Sequence, residues 1–160
     1  MLVALNLDES QITDAEKFLS QASSKVKDTK ALFFFGKIES EMAELSEEDA
    51  SVFMSEYGIK ESALDTIIRD AYDLLGLQSF FTVGEDECRA WTIKKGMTAQ
   101  ESAGEIHSYF YNKFIRAEVV GYDDFMNCGT FAKAKEQGLW RLEGKEYIVK
   151  DGDIISIRHS

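Results

Sequence analysis

The stretch "VALNLDESQ", positions 3–11, runs an apolar segment directly into Asn6-Leu7-Asp8-Glu9. A side-chain amide at a strand end offers a donor and an acceptor, and a carboxylate three residues on accepts only. Together they read as the base-selecting corner of a nucleotide site. The competing reading is that Asn6 caps the strand end and Glu9 is solvated. A nucleotide site also needs a phosphate cradle, and G-x-x-x-x-G-K-[ST] is absent from the 160 residues. Gly36-Lys37-Ile38 has the lysine but neither the hydroxyl residue after it nor the glycine five positions earlier. Without a nest, its lysine and a Mg²⁺-binding hydroxyl, phosphoryl transfer lacks positioning and charge neutralisation. The polypeptide by itself is therefore predicted to hydrolyse nothing and to bind no cofactor alone.

The remaining reactive residues form no catalytic set. His107 falls on the apolar stripe of a predicted helix with no nucleophile beside it, so it reads as a buried structural histidine, the alternative being a ligand or RNA-contacting role. Glu85-Asp86-Glu87 are three carboxylates on a short turn and read as hydrated, not as a cation site. Cys88 and Cys128 have no metal-type spacing and fit a reducing, cytoplasmic setting; Cys88 is expected to be packed. Trp91 and Ile93 alternate with Ala90 and Thr92, so one pair faces the core, and Trp91 reads as core, the alternative being a stacking platform. Arg89, Lys94, Lys95 and Arg116 are the candidates for a positive face that contacts RNA, with Lys113, Lys133 and Lys135 further off. The competing view is that these are scattered solvated charges.

The formal charge of −11 is uneven: residues 1–79 carry 16 acids and 7 bases, residues 80–160 carry 13 and 11. Such a field repels a phosphate backbone, so any RNA contact must be local. The longest apolar run, Ala31 to Phe35, is too short to span a membrane. Met1 opens onto "LVALNL" with no basic leader, so no secretory signal is expected.

The elements that would position these residues can be read from periodicity. Leu2–Leu5 reads as a buried strand. Thr13 and Glu16 form a capping box for a helix with Ala15, Phe18, Leu19, Ala22 and Val26 on one face. "ALFFFG" is a second strand, and helices follow over 38–45, from Ser46 through Tyr57, and along Leu64, Ile67, Ile68, Ala71 and Leu75 to Gly76. From Leu77 the character changes. "LQSFFTV" and "CRAWTI" form a hairpin, Thr98 and Glu101 cap a helix along Ala103, Ile106, His107 and Phe110, and "IRAEVV" is a strand. A polar helical segment then precedes "EYIVK" and "IISIR", which flank the turn-forming Asp151-Gly152-Asp153. A hairpin crossed by one helix and completed by later strands is a β-grasp arrangement, so the fold class is α+β. The chain has no proline and no Gly/Ser linker, and the two halves are expected to pack closely.

The segments "FFTVGEDECRAWTIKKGMTAQESAGEIHSYF", "FIRAEVVGYDDF" and "RLEGKEYIVKDGDII" closely resemble the C-terminal domain of the YchF/Obg-like ATPases. That domain is a TGS domain (threonyl-tRNA synthetase, GTPases, SpoT) with a ubiquitin-like β-grasp fold. "NLDE" and "GKIESEMAEL" are similar to the last part of the same family's nucleotide-binding domain. The resemblance implies two regions: 1–76, the C-terminal remnant of a partial α/β P-loop GTPase-type domain with connecting helices, and 77–160, the TGS domain. It also implies a preceding ATPase portion holding the phosphate loop and Mg²⁺ site, ATP (and GTP) hydrolysis by the intact protein, and a ribosomal RNA or protein partner.

Within the resemblance, Asn6, Leu7, Glu9, Gly36 and Lys37 are the base-binding positions, vestigial in this chain. Asn-x-x-Glu in place of Asn-Lys-x-Asp removes the carboxylate that clamps guanine, which implies ATP preference. Phe35-Gly36-Lys37 departs from the family's usual small residue-alanine-lysine, and Phe35 reads as core. The expected role is an interaction module of a ribosome-associated ATPase; the alternative is a regulatory β-grasp surface for a small ligand or protein. Strands Leu2–Leu5 and Ala31–Phe35 are expected to expose edges. The first half is then expected to be poorly ordered or paired with another copy.

Overall fold

The computed structural model describes residues 1–25, 29–59, 61–84 and 86–160. They form two compact units, Met1–Leu75 and Gly76–Ser160.

In the first unit β1 (Leu2–Asn6) leads through a 3₁₀ turn, Glu9–Asp14, into α1 (Ala15–Lys25) and then β2 (Lys30–Phe34). The two strands pair in parallel from Leu2↔Lys30 to Asn6↔Phe34, a pairing that needs a crossover such as α1. Next come α2 (Gly36–Met42), α3 (Glu47–Tyr57) and α4 (Ala63–Leu75). Leu7, Ala15, Phe35, Ile38 and Met42 form the core, with Phe18, Phe33 and Phe53 packed against it. Phe35 is core, as its size suggests. Among the described residues β1 and β2 pair only with each other.

Two sequence expectations fail here. The cap before α1 is Asp8, which accepts from Ser10 N at 3.0 Å while Gln11 Oε1 accepts from Asp8 N at 2.8 Å; it is not Thr13 with Glu16. Thr13 already lies inside the helical turn and cannot take the extended backbone a cap requires. Val26, the last residue of the expected stripe, lies outside the described residues. On α4, Ile67 and Ala71 are half-buried as expected, but Leu64, Ile68 and Leu75 are exposed. Asp70 turns inward instead, with Oδ1 2.7 Å from Lys30 Nζ on β2, so the helix presents that ion pair to the sheet. The ammonium of Lys30 holds its proton more tightly than a free lysine, chiefly through the hydrogen bond it donates to Asp70.

The second unit comprises β3 (Leu77–Val83), β4 (Cys88–Lys94), α5 (Ala99–Ile106), α6 (Ser108–Asn112), β5 (Phe114–Gly121), α7 (Tyr122–Cys128), α8 (Phe131–Glu136), β6 (Arg141–Glu143) and β7 (Asp153–His159). The sheet order is β4-β3-β7-β5-β6. The last strand in sequence occupies the centre, parallel to β3 and antiparallel to β5. Alternation gives the sheet two apolar faces. Phe80, Ile93, Ala117, Val119 and Ile155 pack with Ala99 of α5, while Val120 and Ile154 pack with Cys128 of α7 and Ala134 of α8.

Thr98 and Glu101 make the expected capping box. The helix it starts does not run to Phe110. It stops at His107, whose backbone is extended (φ −167°, ψ 142°) and whose Nδ1 accepts from Tyr109 N at 3.1 Å to start α6. His107 is therefore an exposed cap, not a buried core histidine. "EYIVK" is likewise not a strand of the sheet. Both sides of β7 are taken by β3 and β5, so this segment runs instead against the start of α5. There Ala99 N donates to Tyr147 O and Val149 N to Met97 O. The strand beside β5 is β6, and Asp151-Gly152 does not close a hairpin: its Gly152 N donates to Ser79 O on β3.

Candidate functional site

The parallel register places the C-terminal ends of β1 and β2 side by side, which is where open α/β sheets bind ligands. Asn6 closes β1, and its Oδ1 accepts from Gly36 N at 2.9 Å. With Oδ1 so used, Nδ2 is the part of the amide left to meet an acceptor. Leu7 turns its side chain into the core and donates its backbone N–H to Phe34 O at 2.9 Å, so it supports the corner from behind. Glu9 Oε1 lies 2.6 Å from Lys37 Nζ, and Glu41 stands 3.9 Å from the same ammonium. The hydrogen bond to Glu9 raises the pKa of Lys37, with the charges of Glu9 and Glu41 adding to it. All five residues singled out by sequence thus meet at one corner, and two contacts tie its loops together.

Gly36 is required there by space. A Cβ at this position would stand 3.0 Å from Asn6 Oδ1. Gly36→Ala is expected to push the Asn6 amide out of its hydrogen bond and to cost about 1 kcal/mol of first-unit stability. Loss of protection of the residue-36 amide in hydrogen exchange is the check.

The four cations proposed for a positive face do not come together. Arg89 sits opposite Thr82, on the same side of the sheet as Trp91, while Lys94 sits five residues further along, opposite Leu77, on the other side. At about 3.3 Å per residue that separates the two by roughly 17 Å along the strand. Lys95 follows the strand end. Arg116 lies on β5 opposite Arg158, with β3 and β7 standing between it and β4. Trp91 is half-buried against the core, with Nε1 donating to Thr82 Oγ1 at 2.9 Å and the Arg89 guanidinium 4.3 Å above its ring. Cys88 is exposed, contrary to expectation, because it ends the outermost strand beside the turn. Glu85 of that turn lies outside the described residues. Among the described residues no His/Cys/Asp/Glu group could hold a metal ion, and no helix is long and apolar enough to cross a membrane.

Sequence reasoning missed one constellation, in the second unit. Asp153, 3% exposed, takes hydrogen bonds from Tyr147 OH (2.8 Å) and Lys150 N (2.9 Å), and Arg141 donates to the same Tyr147 oxygen at 3.2 Å. An aspartate opening an apolar strand, Asp153-Ile154-Ile155, was the available signal.

Comparison with known proteins fits this architecture. The family profile YchF-GTPase_C, "Protein of unknown function (DUF933)", matches residues 77–160. The chain belongs to the YchF family. The ribosome-binding ATPase YchF of Bacillus subtilis (strain 168) is 47% identical over 164 residues, covering 99% of this chain and 44% of the relative. The protein of the same name from Pasteurella multocida (strain Pm70) is 53% identical over 121 residues, 76% of this chain and 33% of the relative. The solved structure of the Schizosaccharomyces pombe YchF GTPase aligns over 97% of this chain and 42% of its own, with a TM-score of 0.82 and 28% identity. The chain thus spans less than half the length of these relatives.

Proposed function

We propose that residues 77–160 are a TGS-type β-grasp module through which an ATP-preferring YchF ATPase engages the ribosome, and that residues 1–76 contribute the base-reading corner of its P-loop GTPase-type domain. The observation that carries this reading is the second unit itself. A hairpin, β3–β4, is crossed by α5 and completed by β5 and β7, and the family match spans the same residues. Relatives of that family bear the name ribosome-binding ATPase.

For ATP, the chain's residues fit the base and not the phosphates. Asn6 and the Gly36 backbone offer an adenine edge a donor and a close approach, and Lys37 neutralises Glu9 beside it. The only Gly-Lys pair of this corner has its lysine committed to Glu9 and Ile38 where a hydroxyl would bind Mg²⁺. In this reading the chain hydrolyses nothing unaided, and both triphosphate and metal belong to a preceding ATPase portion.

The test is co-sedimentation of the chain with purified ribosomes across a salt series. Saturable binding that weakens as salt rises supports the module. Sedimentation no greater than that of a charge-matched control protein sinks it. Phosphate release from ATP that survives repurification of the chain would overturn the claim of inactivity.

A further inference from the structure

The outer edge of the second unit's sheet, at β4, has a chemistry of its own. The strand β4 ends the sheet, so among the described residues its outer edge has no strand partner. It pairs with β3 without a break from Leu77↔Lys94 to Val83↔Cys88, and Cys88, Arg89 and Ala90 are all exposed. Natural sheets blunt such an edge with a bulge, a proline or charge. This strand has neither bulge nor proline, and only Arg89 and Lys94 stand on it. Neither cation has an ion-pair partner among the described residues, in a chain of net charge −11. The indole of Trp91, held by Thr82, gives the strand a fixed apolar centre.

We infer that the β4 edge is a docking site for an extended acidic peptide, which adds to the sheet as a sixth strand. A peptide backbone satisfies the alternating N–H and C=O groups of an edge, and alternate side chains then supply specificity. The residue numbers of Arg89 and Lys94 differ by an odd number, so the two side chains project to opposite faces. The guest therefore carries two carboxylates five positions apart, with apolar residues between them facing Trp91 and Ile93. A groove of about 410 Å³ lies on that side, with Leu77, Ile93 and Met97 at its apolar wall and Glu101 and Glu105 on its rim. That rim favours uncharged guest side chains within the groove. A second copy of β4 is the wrong guest: "CRAWTIK" holds two cations and no acid, so self-pairing gathers four positive charges. A phosphate backbone matches the cations but not the hydrogen-bonding ladder.

This inference refines the interaction-module reading and is tested apart from it. The probe is fluorescein-labelled TEVTVTEVT, whose first two valines fall opposite Ile93 and Trp91 in antiparallel pairing. Anisotropy with the whole chain is expected to show saturable binding, with new hydrogen-exchange protection along β4. Arg89→Glu and Lys94→Glu are each expected to weaken it about tenfold, and the double reversal to prefer TKVTVTKVT. Both positions are exposed, and an unchanged circular dichroism spectrum verifies the fold of each variant. No saturation at millimolar peptide, protection away from β4, or protection of β4 by oligouridylate instead would each overturn the inference. Ribosome co-sedimentation without peptide binding removes this site and leaves the module reading standing. Peptide binding without co-sedimentation does the reverse.

Discussion

Phe80→Ala is expected to lower the melting temperature of the second unit by about 12–40 °C, taking a large aromatic-to-alanine loss of roughly 3–5 kcal/mol and 4–8 °C per kcal/mol for a unit of this size. Phe80 is fully buried on β3, which stands between the hairpin partner β4 and the central β7. Its ring packs in a cluster with Ile93 of β4, Ala99 of α5, Ala117 and Val119 of β5, and Ile155 of β7. The cluster to which it belongs draws on four strands and the helix that crosses them. Removing it leaves a void in the middle of that cluster. Its neighbour Phe81 faces the other way and is half-buried, so Phe81→Ala is the comparison and should cost visibly less. Thermal unfolding followed by near-ultraviolet circular dichroism separates the two. Equal shifts would mean that the two faces of the sheet do not differ in packing as the burial indicates.

The legible parts of the chain were those with short-range causes. β1, β2 and the β3–β4 hairpin follow from apolar runs and turn residues, and α3 and α5 start where Ser46 and Thr98 can cap them. The site corner was legible too, because Asn6 and Glu9 stand three residues apart after a strand and Gly36-Lys37 follows the next one. The failures came from long-range competition. "EYIVK" has strand composition, but β7 has no free side to offer it. On α4 the most apolar stripe is not the one facing the sheet, because Asp70 reaches Lys30 across forty residues of sequence. A basic face could not be read from Arg89, Lys94, Lys95 and Arg116, since strand order and pleat decide which cations share a side. The start of the 3₁₀ turn that leads into α1 is readable in Asp8-x-x-Gln11, a capping signature as good as Thr13-x-x-Glu16.

Asp153→Ala is expected to destabilise the second unit by about 3 kcal/mol, the scale for removing one partner of a buried charged network. Asp153 opens the central strand, and its single Oδ2 serves two donors, the Tyr147 hydroxyl and the Lys150 amide. Taking it away strands the amide and leaves the Tyr147 hydroxyl without its acceptor, while Arg141 keeps its ion pair with Glu143. The same network gives the unit an alkaline limit. Burial, then the hydrogen bond donated to Asp153 and the charge of that carboxylate, push the Tyr147 pKa up to about 12 from 10.0. The folded state thus holds a proton that the unfolded chain releases first. The stabilisation is complete below pH 10 and drains away as the pH rises through 10 toward 12. Urea midpoints taken across that window should fall for the parent chain. In Tyr147→Phe, which has no proton to lose, the contribution of this group to the slope should vanish although the variant starts less stable. A parent whose midpoint stays level across the window, or a phenylalanine variant that keeps the parent's full slope, would show that Tyr147 does not set the alkaline limit.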